Sequence, residues 1–206
     1  MAIISPATSP VVRIPGLFST LLADLKAPVA PGQPAHRFWA KVIGKALFSN
    51  STHCVILFRI SHALYRFLPT RPLAFFVRML AVAWGGTDIH PGAQIGPGFC
   101  LVHSMKIAIG AGVVIGRDCR IAHGVTIGGD MGRHPWDRSS DGWPVIGDYV
   151  TIGVDAYVVG PVTIGDGAII GTKALVNKDV PVNGIAVGIP ARVIKTHDGY
   201  EGLLGR

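Results

Sequence analysis

Between residues 89 and 176 an aliphatic side chain returns at every sixth position. Ile89, Ile95 and Leu101 set the first phase. Ile109, Ile115, Ile121 and Ile127 set a second, two residues out of step. Ile146, Ile152, Val158, Ile164, Ile170 and Val176 resume it after an interruption. Four places after most of these comes a small or apolar residue, such as Ala93, Phe99, Val113, Cys119, Val125, Val150, Ala156, Val162, Ala168 and Ala174. A helix repeats near 3.6 residues and a strand near 2, so neither produces a strict six. A coil with three flat faces does, at one hexapeptide per face. The aliphatic residue fills the interior and the residue after it, often glycine, turns the corner. Fixed-period repeats of this kind predict a solenoid, here a mainly β chain wound as a parallel β-helix.

Two breaks in the period stand out, because packing makes a solenoid monotonous and departures from it tend to carry function. One is the slip between Leu101 and Ile109, around His103. The other is the stretch 129–145, which replaces one hexapeptide by a long loop holding Arg133, His134, Asp137, Arg138 and Asp141. The coil is expected over 88–183, with that loop inside it. Residues 1–87 form an N-terminal arm with helices, and 184–206 a C-terminal tail that leaves the prism. A short helix is predicted near Leu17–Leu25. Helical spacing covers 36–68 with a break at Asn50-Ser51, and a further helix is predicted from Leu73 to Trp84, stopped by Gly85-Gly86.

Composition bounds the partners. The net charge is +7 with a pI near 9.7, which favours anionic partners. There is no run of Lys and Arg and no basic–aromatic interleaving, so nucleic acid is not expected. Cys54, Cys100 and Cys119 share no metal or redox spacing. No metal site is predicted, and buried thiols suit a reducing, cytoplasmic setting. The N-terminus lacks the pattern of a signal peptide. The most apolar stretch, Leu73–Trp84, is interrupted by Arg78 and falls short of the roughly 20 residues that a membrane span needs.

His103 is the candidate general base, since an imidazole titrates near neutral pH. Such a base needs a partner on its second ring nitrogen. Asp88 lies fifteen residues earlier, and one turn of the coil takes eighteen, so the two fall on adjacent coils. Spacing alone leaves two readings. The slip brings the pair together, or Asp88 caps the entry of the chain and His103 is an exposed corner.

Several stretches together resemble the serine O-acetyltransferase family of the hexapeptide acyltransferases. They are Asp88-Ile89-His90-Pro91, His103, Ile107-Ala108-Ile109-Gly110, Val125-Thr126-Ile127-Gly128-Gly129, Arg133-His134-Pro135 and Gly188-Ile189-Pro190-Ala191-Arg192. The helical segment Phe58-Arg59-Ile60-Ser61-His62-Ala63-Leu64 resembles the same family. The resemblance implies a left-handed β-helix, a homotrimer with active sites between prisms, and acetyl-CoA as acyl donor. It further implies His103 as base with Asp88 holding its imidazole, Arg133 on an acceptor carboxylate, and His134 placing the acceptor. Lys178 and Lys195 are expected to meet the phosphates of CoA, or else to be solvated surface lysines. Gly128, Gly129, Ala156 and Ala174 are expected to leave a smooth groove for the pantetheine arm, although core spacing explains the alanines equally well. His90 and His123 are read as structural corner residues.

The chain also departs from the pattern. The family binds the serine ammonium with two acids, and Val102 and Gln33 stand where those acids fall. An unpaired ammonium is costly to bury. Either Asp137 or Asp141, in a loop lengthened by residues 136–144, replaces them, or the acceptor is not free serine. The alternative enzyme is a sugar O- or N-acyltransferase of polysaccharide or natural-product biosynthesis. A non-enzymatic β-helix scaffold is the third reading, but it has no use for Asp88, His103 and Arg133.

Overall fold

The computed structural model describes residues 14–27, 29, 34–129 and 142–198. Fifteen short strands among them form the three walls of a prism. The first wall holds β1 (Thr87–Ile89), β4 (Ile107–Ile109), β7 (Thr126–Gly128), β10 (Tyr157–Val159) and β13 (Leu175–Val176). The second holds β2 (Gln94–Ile95), β5 (Val114–Ile115), β8 (Val145–Ile146) and β11 (Thr163–Ile164). The third holds β3 (Cys100–Val102), β6 (Arg120–Ala122), β9 (Thr151–Ile152), β12 (Ile169–Ile170), β14 (Gly184–Val187) and β15 (Arg192–Thr196). Every pairing is parallel except β14 with β15. The expected left-handed parallel β-helix is the fold.

Register shows how the sequence sets each coil. Ala108 pairs with Thr126, eighteen residues on, which is one hexapeptide per wall. Asp88 pairs with Ala108, twenty residues on, so the slip around His103 is a coil with two extra residues. Thr126 pairs with Tyr157, thirty-one residues on, because the loop 129–145 is carried inside that turn. The inward isoleucines are shielded almost completely, Ile95, Ile115, Ile121 and Ile164 to 0%. Their burial, repeated along the axis, is the main apolar contribution to stability.

The wall continues past residue 183, where a departing tail was expected. Gly184–Val187 pairs parallel with β12, and Arg192–Thr196 folds back antiparallel on it. The extra pairing satisfies backbone groups at the open end of the prism.

Among the described residues four α-helices precede the coil: α1 (Leu17–Lys26), α2 (Ala35–Phe48), α3 (Asn50–Tyr65) and α4 (Arg71–Gly85). Ser49 breaks the chain between α2 and α3, and its hydroxyl caps α3 by accepting from the Thr52 N–H at 3.4 Å. Gly86, in the left-handed region at φ 64°, ends α4 as the Gly85-Gly86 pair predicts. No helix among the described residues is long and apolar enough to cross a membrane.

A buried ion pair fastens the helices to the first coil. Arg59 of α3 is 2% exposed, and its Nε donates to Asp24 of α1 at 2.8 Å. Its remaining donors reach the carbonyls of Ile95 and Gly96, and Asp24 also accepts the Phe99 N–H at 2.9 Å. The guanidinium fork is thus satisfied by one carboxylate and two backbone oxygens, which offsets the cost of burying it.

Candidate functional site

His103 sits on the corner between β3 and β4 that the slip enlarges. The corner is pinned on both sides. The Thr87 hydroxyl donates to the Ser104 carbonyl at 2.6 Å from the coil before. From the coil after, the His123 N–H donates to the Val102 carbonyl at 3.1 Å and the Gly124 N–H to the Met105 carbonyl at 3.0 Å. His103 itself lies at φ 62°. Asp118, Tyr149, Asp155 and Lys173 share that conformation, so the positive φ belongs to this type of corner and is not peculiar to His103. Its effect is to hold the imidazole outside the prism wall.

Two neighbours define the surroundings of His103. Its ring meets the ring of His123, on the next coil, at a centroid distance of 5.8 Å and an interplanar angle of 70°. The Nδ1 atom of His123 is buried without a hydrogen-bond partner among the described residues. The second neighbour is a cavity of about 290 Å³ between α1, α2, α3 and the first coil, with His103 and Val102 on its rim and Lys45, Ser49, Thr52 and Arg120 around it.

Asp88 is engaged elsewhere. Its carboxylate accepts from Nε of Arg78, on α4, at 2.5 Å, and among the described residues no hydrogen bond joins it to His103. A guanidinium offers a permanent positive charge, and it holds the carboxylate more strongly than a neutral ring N–H does. Arg78 had stood out only as an interruption of an apolar stretch. Its position ten residues before Asp88, at the last turns of a helix packed against β1, was the one available signal.

The proposed cofactor residues divide. Gly128 and Gly129 remain partly accessible on the outside of the coil, and a Cβ at Gly128 meets nothing within 4 Å. The bare backbone there fits a ligand chain laid along the wall. Lys178 and Lys195 are exposed near the end of the prism. Ala156 and Ala174 are fully buried, which removes them from any groove. They occupy the second inward slot of the hexapeptide, the column that also holds Val113 and Val150, and their methyl groups face the core. Arg133, His134, Asp137, Asp141 and Gln33 lie outside the described residues.

His90, His62 and the thiols of Cys100 and Cys119 are engaged in packing and hydrogen bonds away from His103. His90 packs edge-on between Tyr65 and Phe75, at 5.6 and 5.5 Å, and its Nδ1 accepts the Gly92 N–H at 2.9 Å. His62 places Nδ1 2.9 Å from the Pro91 carbonyl. Burial lowers its pKa below the ordinary value, with Arg59 and Arg66 adding to the effect. Burial pushes the Cys119 thiol up to about 12 and raises Cys100 as well, so neither is a nucleophile at neutral pH. Among the described residues no three metal-binding side chains converge.

A feature with no counterpart in the sequence reading is Trp143. Its indole lies directly on the backbone of Gly110 and Gly112, where a Cβ would fall 2.2 and 2.3 Å from it. The two glycines form the shelf on which the chain re-enters the coil after residues 130–141.

Comparison with known proteins gives the same direction. Residues 144–178 match the model of the bacterial transferase hexapeptide (six repeats) family. A serine acetyltransferase of Helicobacter pylori is 37% identical over 145 residues, covering 69% of this chain and 80% of the relative. A solved soybean serine acetyltransferase complexed with serine superposes with a TM-score of 0.74 at 34% identity, covering 86% of this chain and 69% of that one. A serine acetyltransferase in complex with CoA superposes with a TM-score of 0.72 at 28% identity, covering 86% and 69%.

Proposed function

Because the chain belongs to the serine acetyltransferase family, we propose that it transfers the acetyl group of acetyl-CoA to the hydroxyl of serine or of a serine-like, carboxylate-bearing acceptor. The observation that carries this reading is His103, held on the enlarged corner at the mouth of a cavity sized for a small acceptor. In the proposed reaction its imidazole takes the proton of the acceptor hydroxyl. The oxygen attacks the thioester carbonyl, the carbon–sulfur bond breaks, and the proton passes to the departing thiolate.

Gly128 and Gly129 offer the surface for the pantetheine arm, and Lys178 and Lys195 are proposed partners for the phosphates. Asp88 is proposed to orient His103, which requires its carboxylate to exchange Arg78 for the imidazole. Arg133 and His134 are proposed to hold the acceptor. The exposed apolar residues Met105, Val102 and Tyr157 on the coil support assembly as a homotrimer, and the buried thiols suit a cytoplasmic setting.

Acceptor-dependent release of CoA thiol tests the reading directly. Thiol release with stoichiometric O-acetyl product supports it. The absence of release with serine, hydroxy acids and N-acylserine alike rejects it.

A further inference from the structure

The corner that carries His103 closes the first coil. One turn of that enlarged coil takes twenty residues, as the pairing of Thr87 with Ile107 requires. One turn before residues 103–106 lie residues 83–86, the end of α4 and its Gly86 cap. Later corners rest on the corner before them through backbone bonds. The Asp155 N–H donates to the His123 carbonyl at 3.0 Å, and the Lys173 N–H to the Val154 carbonyl at 2.8 Å. For the His103 corner a helix end stands in that place, and the segment Gly85-Gly86-Thr87 supplies the support.

The contacts are close. A Cβ at Gly85 would fall 2.9 Å from the hydroxyl oxygen of Ser104 and 2.3 Å from Sγ of Cys54, so the end of the helix lies directly against the corner. The Ile107 N–H donates to the Gly86 carbonyl at 3.3 Å. The Thr87 hydroxyl donates to the Ser104 carbonyl at 2.6 Å. Thr87 is 1% exposed and Ser104 4%. The bond therefore lies out of water, where a polar group that loses its partner is costly. It joins the residue before Asp88 to the residue after His103.

Resting on the acetyltransferase reading, we infer that Thr87 is a positioning residue, whose hydroxyl sets where the imidazole of His103 stands relative to the acceptor and to the strand that carries Asp88. The Val102 carbonyl is held from the coil after by the His123 N–H at 3.1 Å. The Ser104 carbonyl is held by Thr87. His103 is clamped between the two, at a backbone conformation of φ 62° that gives its side chain one exit direction. With the Ser104 side released, the imidazole swings. A displacement of about 1 Å in a catalytic group costs up to roughly 10²-fold in rate. Thr87 acts through His103, since it is buried behind the corner. Valine has the shape of threonine without the donor, serine keeps the donor, and cysteine offers a weak one.

The test uses the full-length chain with Thr87→Ser, Thr87→Cys and Thr87→Val. Thiol release from acetyl-CoA reads transfer, with whichever of serine, N-acylserine and hydroxy acids is turned over fastest. Carbon NMR of the labelled histidine Cε1, assigned with His103→Ala, reads the setting of the ring. Thr87→Val should lower kcat by roughly tenfold or more and leave the KM for acetyl-CoA within about twofold. Thr87→Ser should stay within about threefold of wild type, with Thr87→Cys between the two. In a His103→Ala background, Thr87→Val should change the residual turnover by less than about twofold, because the residue it acts through is gone. The His103 resonance should be displaced in Thr87→Val and stay at its wild-type position in Thr87→Ser. If Thr87→Val does not fold, the comparison of Cys with Ser carries the same test. A kcat near wild type in Thr87→Val, or an equal loss with and without His103, overturns the inference. So does an unmoved His103 resonance in Thr87→Val. No thiol release by the wild-type chain with any of these acceptors would instead reject the acetyltransferase reading, while the resonance still decides whether Thr87 sets the ring.

Discussion

The imidazoles of His103 and His123 stand edge to face, with centroids 5.8 Å apart, on corners of successive coils. The backbone of His123 is fixed from both sides, donating to the Val102 carbonyl and accepting from the Asp155 N–H at 3.0 Å. Its ring is therefore a rigid wall that limits how far the His103 ring can turn. The buried Nδ1 makes no hydrogen bond among the described residues, so within them the wall acts through shape. His123→Phe should keep kcat within a few-fold of wild type. His123→Ala, which removes the wall, should lower kcat by roughly tenfold or more, because small misplacements of a base are costly. Steady-state kinetics of the two variants check this, with near-native kcat in His123→Ala as the contrary outcome.

Asp88 and Arg78 give a second test. Their pairing at 2.5 Å competes with any role of Asp88 toward His103. Arg78→Gln should raise or leave unchanged kcat. Asp88→Asn should lower it, by less than loss of His103, since it removes orientation and not the base. A larger loss in Arg78→Gln than in Asp88→Asn would place the function of the pair in structure and not in catalysis.

The buried pair of Asp24 and Arg59 predicts a stability effect. Arg59→Met leaves Asp24 buried without its counter-charge and should destabilise the fold by about 3–5 kcal/mol, measured by chemical denaturation. Asp24→Leu combined with Arg59→Met should recover much of that loss. A double variant no better than Arg59→Met alone would show that the carbonyls of Ile95 and Gly96 matter more than the ion pair.

His62 sets a pH dependence. Its folded pKa is lowered from the ordinary 6.5, chiefly by burial. Below pH 6.5 the unfolded chain gains a proton that the folded chain resists, so stability is full above that value and is lost as pH falls toward the folded pKa. The melting temperature should fall between about pH 7 and pH 5, and His62→Gln should flatten that slope. An unchanged slope in the variant would assign the acid lability to other groups.

The coil was legible because its packing is one-dimensional. Each inward slot recurs at a fixed spacing, so Ile89 to Val176 could be placed without knowing any long-range contact. The same regularity placed His103 at a break. The inward column also explains why Ala156 and Ala174, expected to line a cofactor groove, face the core instead, since each falls four residues after an inward isoleucine, Ile152 and Ile170. What the period cannot encode is contact between helices and coil. Asp24 and Arg59 are thirty-five residues apart, and nothing in α1 or α3 fixes their crossing in sequence. Lys45 and Arg120 belong to different element types, so the cavity they both line emerges only when helix and coil are packed. Trp143 resting on Gly110 and Gly112 is equally silent, since the match is one of shape.

The most direct measurement is thiol release from acetyl-CoA by the wild-type chain and by His103→Ala, with acetyl-CoA binding measured in parallel. The proposed mechanism predicts that His103→Ala lowers kcat by about 10²–10⁴, with the affinity for acetyl-CoA and the melting temperature retained. Turnover in His103→Ala within about threefold of wild type would contradict the assignment of His103 as the base.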